Sequence, residues 1–168
     1  MKNEKRMTKL LFLTYFLLLT WIIVMKMEFS FDAIYRMRSL NLIPLEGTAV
    51  YNNQLDYKEI YLNILIFIPF GLYLSMLKPD WPFLKKLFPI FLISLSFESL
   101  QYLLSIGASD ITDLIGNTLG GLIGIITYGW IVKGLKDHDK AQRLFNLLGG
   151  TVTFSFFLLS LFFLLTSR

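Results

Sequence analysis

The sequence predicts an all-α membrane protein, a bundle of five transmembrane helices with the N-terminus inside and the C-terminus outside. Composition predicts the class: 55% of the 168 residues are hydrophobic and the mean hydropathy is +0.59, which is too apolar for an ordinary soluble protein of this size. The number of helices follows because the apolar residues form five separate segments, most of them long enough to cross a bilayer.

The five segments lie at about residues 10–24, 57–77, 87–106, 111–132 and 144–166 of a single domain, 1–168. The first has a basic start like that of a signal peptide, but residues 25–28 lack the small side chains of a cleavage site, so we expect an uncleaved anchor. Residues 28–56 form a loop that either lies along the membrane interface as a short amphipathic helix or packs over the bundle. A short turn at Gly107, Ala108 and Ser109 joins the third and fourth segments.

The basic residues predict the orientation. Most of the 16 Lys and Arg residues lie before the first segment, between the second and third, and between the fourth and fifth. The positive-inside rule places these parts in the cytoplasm and the 28–56 loop outside. Orientation therefore explains the net charge of +4 better than nucleic-acid binding does.

An ionisable residue, Glu98, lies in the middle of the third apolar segment. A charged group at the bilayer centre costs on the order of 2.5–3.5 kcal/mol on insertion scales, and such residues usually face the inside of a bundle. At about 1.5 Å per residue, three helices place their strongest polar groups in one layer near the outer surface. We expect a binding site or a polar cluster there, formed by Asn63, Glu98, Gln101, Asp110, Asp113 and Asn117.

The glycines of the fourth segment predict how this layer packs. Gly116, Gly120 and Gly124 follow small-x-x-x-small spacing, which lets helix backbones approach closely. We expect this stripe to contact the third helix and to bring Glu98 near Asp113. Two carboxylates that close are not both ionised in a low dielectric, so either one is protonated or a cation joins them. Arg36 and Arg38 of the external loop are the available cations.

Structural roles compete with these interpretations. Asn63, Gln101 and Asn117 often serve only as interhelical hydrogen-bonding groups in membranes. Glu98 would have a purely structural role if it formed a buried ion pair with Arg38. Asp110 is better placed as a helix N-cap than as a ligand-binding residue. In the second segment, Pro69 predicts a kink that, with Gly71, would widen a cavity below the polar layer.

Composition also limits the chemistry. The chain has no cysteine and a single histidine, whereas a zinc site needs several Cys or His ligands. We therefore expect no metal site, no cofactor and no histidine-based catalysis.

One combination of motifs resembles a known family. The motifs lie in residues 38–44, 63–72, 95–101 and 107–121. The last two stretches contain, in this order, Glu98-x-x-Gln101 and Asp110-x-x-Asp113-x-x-x-Asn117-x-x-Gly120. The pattern is similar to that of VanZ-family membrane proteins over about residues 38–129. Many members have Arg where this chain has Ala108, and Phe where it has Leu45, and the first difference gives Arg38 more weight as a cation.

The resemblance implies a protein of the bacterial cytoplasmic membrane in a Gram-positive host. It also implies resistance to teicoplanin and related lipid-tailed glycopeptides, with little effect on vancomycin. Our leading hypothesis is that the polar layer engages an amphiphile and lowers antibiotic occupancy at the outer membrane face. The partners would be membrane lipids, the antibiotic or a lipid-linked cell-wall precursor, and a homo-oligomer is left open.

Two alternatives remain at this point. Glu98 and Asp113 are candidates for an acid–base pair, or for holding Mg²⁺, in an enzyme acting on a lipid-linked cell-envelope substrate. The absence of an evident nucleophile or metal motif makes this the less favoured interpretation. The other is a structural partner that stabilises a second membrane protein.

Overall fold

The structure is a computed structural model that describes residues 2–24, 37–45, 50–51, 54–55 and 57–166. Within these ranges it contains five helices, each long and apolar enough to cross a membrane. They are α1 (Lys2–Val24), α2 (Lys58–Leu77), α3 (Phe83–Leu104), α4 (Ile111–Leu135) and α5 (His138–Thr166). The predicted class is confirmed: this is an all-α, multi-pass membrane protein.

Most helices extend beyond the predicted segments. α1, α3 and α5 begin before the predicted residues 10, 87 and 144, and α4 continues to Leu135. Apolarity marks only the part of a helix that suits the bilayer, whereas backbone hydrogen bonding continues through the polar ends. α3 instead stops two residues earlier than predicted, because Ser105 takes a left-handed conformation with φ 56°.

The described part of the chain also contains four short strands: β1 (Met37–Asn41), β2 (Val50–Tyr51), β3 (Gln54–Leu55) and β4 (Ile106–Asp110). β1 pairs in parallel with β4, with Arg38 opposite Gly107 and Asn41 opposite Asp110, and β2 pairs antiparallel with β3. The prediction of a simple turn at 107–109 is therefore wrong. The described residues 37–41 of the 28–56 loop form a strand rather than an amphipathic helix, and residues 28–36 lie outside the described residues.

The glycine stripe packs against a different helix from the one predicted. A Cβ atom on Gly120 or Gly124 would lie against the backbone carbonyl of Ile64 or Ile68, both in α2. Gly116 faces α2 as well, at ordinary van der Waals distance. The expected contact between α3 and α4 through this stripe is thus wrong. It is α2 and α4, running in the same direction, that approach closely.

Gly71 and Pro69 have separate roles in α2. A Cβ on Gly71 would meet the carbonyl of Gly121, so this glycine allows close packing against α4. The helix continues through Pro69, and the hydroxyl of Tyr15 in α1 donates to the carbonyl of Ile66 over 2.7 Å. This bond ties α1 to α2 next to Leu65, whose carbonyl receives no N–H from Pro69. The kink itself stays a prediction.

Aromatic rings fill the core between α1, α2 and α3. Neighbouring rings lie in tilted, stacked and edge-on arrangements, with centroids 5.3 to 6.4 Å apart. Such contacts give a rigid support for the polar groups nearby. The rings belong to Phe12, Phe16, Phe67, Phe70 and Phe97.

Candidate functional site

Glu98 is buried in α3, with 5% of its surface exposed. Its Oε2 atom accepts a hydrogen bond of 2.9 Å from the backbone N–H of Asp110, the last residue of β4. The side chain of Ser109 also hydrogen-bonds this carboxylate. Glu98 therefore holds the connection between α3 and α4 in place.

Asp110 is the N-cap of α4, as predicted. Its Oδ1 accepts from the backbone N–H of Thr112 over 2.7 Å, and its Oδ2 accepts from Nδ2 of Asn41 over 3.0 Å. Thr112 in turn accepts from the backbone N–H of Leu45, and Asn41 accepts from that of Ile43. Two of these bonds, Asn41 to Asp110 and Leu45 to Thr112, attach residues 41–45 of the 28–56 loop to the start of α4. Sequence reasoning missed the roles of Asn41 and Thr112, although an Asn after a strand is a usual local acceptor.

Asp113 pairs with Asn63 rather than with Glu98. The amide Nδ2 of Asn63 donates to Oδ1 of Asp113 over 2.6 Å, which joins α2 to α4. Asp113 interacts electrostatically with Glu59, Glu98 and Asp110, so the predicted acids do share one region. Glu59 was missed, although it lies one turn before Asn63 on α2.

The two remaining polar residues of the layer bind other helices. Nδ2 of Asn117 donates to Oγ of Ser94 in α3, and Nε2 of Gln101 donates to the carbonyl of Ile23 in α1, both over 3.0 Å. Each amide is buried, Asn117 with 1% of its surface exposed. Within the described part of the chain, Oδ1 of Asn117 and Oε1 of Gln101 have no hydrogen-bond partner. These contacts match the hydrogen-bonding role considered for both residues.

Arg38 lies in β1, where its backbone is beside Gly107 of β4. Its side chain lies outside what the structure describes, so an ion pair between Arg38 and Glu98 stays a prediction. Among the described residues, neither Glu98 nor Asp113 forms an ion pair with Lys or Arg. The same residues contain no cluster of three or more His, Cys, Asp or Glu side chains suited to a metal ion.

A cavity of about 540 Å³ opens beside Glu98, between α3, α4 and β1. Six of its described lining residues are polar: Asn41, Glu98, Ser99, Tyr102, Ser109 and Asp110. The other six are aliphatic: Leu40, Leu42, Leu95, Leu103, Ile111 and Leu114. A cavity lined by both kinds of side chain has the chemical character of a site for an amphiphile. Of the predicted polar residues, Glu98 and Asp110 line it, whereas Asn63, Gln101, Asp113 and Asn117 lie outside its described lining.

Comparison with known proteins places these features in a family. The VanZ/LLP1 family model matches residues 12–133. This chain belongs to the VanZ/LLP1 family. Protein VanZ from Enterococcus faecium is 37% identical to it over 137 residues, which cover 80% of this chain and 81% of the relative. No solved structure matches the chain. The twelve described residues that line the cavity fall within the range matched by the VanZ/LLP1 model.

A second polar network, at the other end of the bundle, was missed by sequence reasoning. The buried hydroxyl of Thr8 in α1 accepts from Gln142 over 2.7 Å and donates to Asn146 over 2.9 Å, both in α5. Asn146 also donates to the side chain of Glu4. Gln142 and Asn146 lie beyond the range of the VanZ/LLP1 model. We therefore read this network as the attachment of α5 to α1, separate from the cavity.

Proposed function

We propose that this protein protects a Gram-positive bacterium against lipid-tailed glycopeptide antibiotics of the teicoplanin type. Membership of the VanZ/LLP1 family and the likeness to Protein VanZ support this role, as does the resemblance described for the polar motifs. The five candidate spans suit action at the cytoplasmic membrane of the bacterium, where the lipid tail of such an antibiotic would insert.

The cavity belongs at the outer membrane face in this proposal. It lies at the end of the bundle where α3 ends and α4 begins. The opposite end contains the start of α1 and the connections after α2 and α4, with Lys78 and Lys136 among several basic residues. Basic residues concentrate on the cytoplasmic side of membrane proteins, which supports an outer-leaflet cavity and a cytoplasmic N-terminus.

The observation that carries the mechanism is the mixed lining of the cavity. Glu98 is buried at the cavity, whereas Leu42 and Leu103, which also line it, are largely exposed. An amphiphile entering from the outer leaflet would place its head at Glu98 and its hydrocarbon chain along Leu95, Leu103 and Leu114. Engagement of the antibiotic tail, or of a lipid that the tail needs, would lower antibiotic occupancy at the membrane surface.

The enzymatic alternative receives less support. An acid–base pair must reach one substrate together, but Glu98 binds the backbone of Asp110 while Asp113 binds Asn63. Asp113 also lies outside the described lining of the cavity. A binding role needs only Glu98 and the aliphatic lining residues. Lipid and cell-wall-precursor profiling distinguishes the two roles, because a catalyst changes product pools.

The test is expression of the full chain in a susceptible Gram-positive host. The Leu95→Trp variant is designed to fill the cavity, and Leu92→Trp is the matched control. Both leucines lie on α3 with nearly equal exposure, 41% for Leu92 and 40% for Leu95. Leu92, however, is not among the described residues that line the cavity. We expect wild type and Leu92→Trp to raise the inhibitory concentration of teicoplanin far more than that of vancomycin, and Leu95→Trp to lose the effect.

Membrane abundance, measured by immunoblot, must be equal for the three proteins. A normally inserted wild-type chain that gives no protection contradicts the proposed function. Full protection by Leu95→Trp contradicts the role of the cavity, while leaving the resistance function in place.

A further inference from the structure

We infer that the cavity beside Glu98 selects an amphiphile whose head is an ammonium group, attached to a hydrocarbon chain. The inference rests on the proposed function for the location of the site and goes further by naming the chemistry of the ligand. The ammonium would belong either to a membrane lipid or to the antibiotic, and the same chemistry would recognise both.

Four donors among the polar lining residues are already used inside the protein. The N–H of Asp110 already donates to Glu98, and Nδ2 of Asn41 donates to Asp110. The hydroxyl of Ser99 donates to the carbonyl of Leu95 in its own helix. The side chain of Ser109 bonds to Glu98. These four donors are therefore not available to a ligand head, and a head that brings its own donors suits the cavity better.

The carboxylate of Glu98 has acceptor capacity left. Two oxygens provide about four acceptor positions, and the structure assigns two of them, to the backbone of Asp110 and to Ser109. Glu98 is buried to more than nine-tenths and lines the cavity. A buried carboxylate with unfilled acceptor positions at a cavity is suited to a group that donates several hydrogen bonds at once.

The negative charge of Glu98 favours a cationic head group over a neutral hydrogen-bond donor. Glu98 lines the cavity, and no Lys or Arg is among the described lining residues. An anionic head such as a phosphate would meet this carboxylate where water screens little. An ammonium donates up to three hydrogen bonds and neutralises Glu98, and charge-assisted bonds of this kind are roughly twice as strong as neutral ones.

The aliphatic lining residues specify the rest of the ligand. Leu95, Leu103 and Leu114 line the same cavity with hydrocarbon. A chain attached to the amine would lie along these side chains as a lipid tail does, whereas a short amine would leave them uncovered. The competing occupant of the carboxylate is the guanidinium of Arg38, whose backbone lies in β1 at the same end of the bundle.

The experiment compares three probes of equal chain length: octadecylamine, octadecanol and stearic acid. The full chain is reconstituted in phosphatidylcholine nanodiscs that contain one probe, and the retained probe is measured by native mass spectrometry. We expect wild type to retain octadecylamine about tenfold more than octadecanol, the factor that one charge-assisted hydrogen bond supplies. Stearic acid should be retained least.

Three variants make the result specific. Glu98→Gln keeps an acceptor for the N–H of Asp110 and should abolish the preference for the amine. Leu95→Trp should lower retention of all three probes, and Leu92→Trp should behave as wild type. Equal retention of the three probes by wild type, or an unchanged preference in Glu98→Gln, overturns the inference. A preference that appears only in Arg38→Gln also overturns it, because Arg38 would then occupy the carboxylate.

The outcome is separable from that of the resistance test. A protein that prefers octadecylamine without protecting cells contradicts the proposed function alone. A protein that protects cells through the cavity without preferring the amine contradicts only the ammonium inference.

Discussion

The close approach of α2 and α4 makes a sharp prediction about Gly120. A Cβ added at this position would overlap the backbone carbonyl of Ile64, and a carbonyl in a helix cannot rotate away as a side chain tip can. Gly120→Ala therefore forces the two helices apart. Overpacking of this kind costs about 1–3 kcal/mol, and we expect a loss of that size in the free energy of unfolding.

The same helix supplies the control. Gly129 has no atom within 4 Å of the position that a Cβ would take. Gly129→Ala therefore adds no clash, and its effect should lie between zero and the gain of up to about 1 kcal/mol that Ala has over Gly in a helix. Gly116→Ala is an intermediate case, since its nearest contact would be at 3.5 Å, to Cβ of Asn63.

Gly124→Ala tests whether one displacement explains the effect. Its added Cβ would meet the carbonyl of Ile68, one turn further along the same interface. Because the same separation of α2 from α4 relieves both clashes, the double variant with Gly120→Ala should lose less stability than the sum of the two single losses.

The assay is equilibrium unfolding of the purified full chain in mixed micelles with increasing sodium dodecyl sulfate, followed by tryptophan fluorescence. If Gly120→Ala unfolds at the same denaturant fraction as Gly129→Ala, the close contact between α2 and α4 is refuted. Simple additivity of Gly120→Ala and Gly124→Ala would refute the shared displacement.

Two further predictions concern the polar contacts. The first is a double-mutant cycle of Asn63→Leu and Asp113→Leu in the same unfolding assay. We expect a coupling free energy between the two side chains of about 0.6–1.7 kcal/mol, as found for hydrogen bonds between membrane helices. A coupling free energy of zero would contradict the 2.6 Å bond. Thr8→Val leaves Gln142 without its acceptor and should cost about 1–3 kcal/mol. Hydrogen exchange at the start of α5 should become faster in Thr8→Val. The control is Thr14→Val, which removes only a bond within α1 and should leave this exchange unchanged. Equal exchange in the two variants would argue against the attachment of α5 through Thr8.

The contacts that sequence reasoning predicted correctly depend on local rules. Asp110 is an N-cap because an acid that precedes an apolar run has free backbone N–H groups within reach. Glu98, Asn63 and Asn117 are hydrogen-bonded inside the bundle because a polar group in a bilayer has to find a partner in the protein. Neither rule requires knowledge of which helix is the neighbour.

The predictions that were wrong concern which helix or side chain contacts which. Helical spacing places Gly116, Gly120 and Gly124 on one face, but it does not say whether α2 or α3 covers that face, and the structure shows α2. For the same reason we predicted that Asp113 pairs with Glu98, whereas its hydrogen-bond partner is Asn63. The strand pairing of β1 with β4 joins residues far apart in sequence, and neither strand is long enough to show a clear alternating pattern.

The sequence alone determined the class, the five membrane-spanning segments and the residue types at the polar end, because apolar length and the cost of burying charge act residue by residue. The tertiary structure decided which helices meet, which acid binds which partner, and that Leu42 and Leu103 from distant parts of the chain share one cavity with Glu98. These depend on packing of surfaces against each other, and a cavity is a property of several elements together.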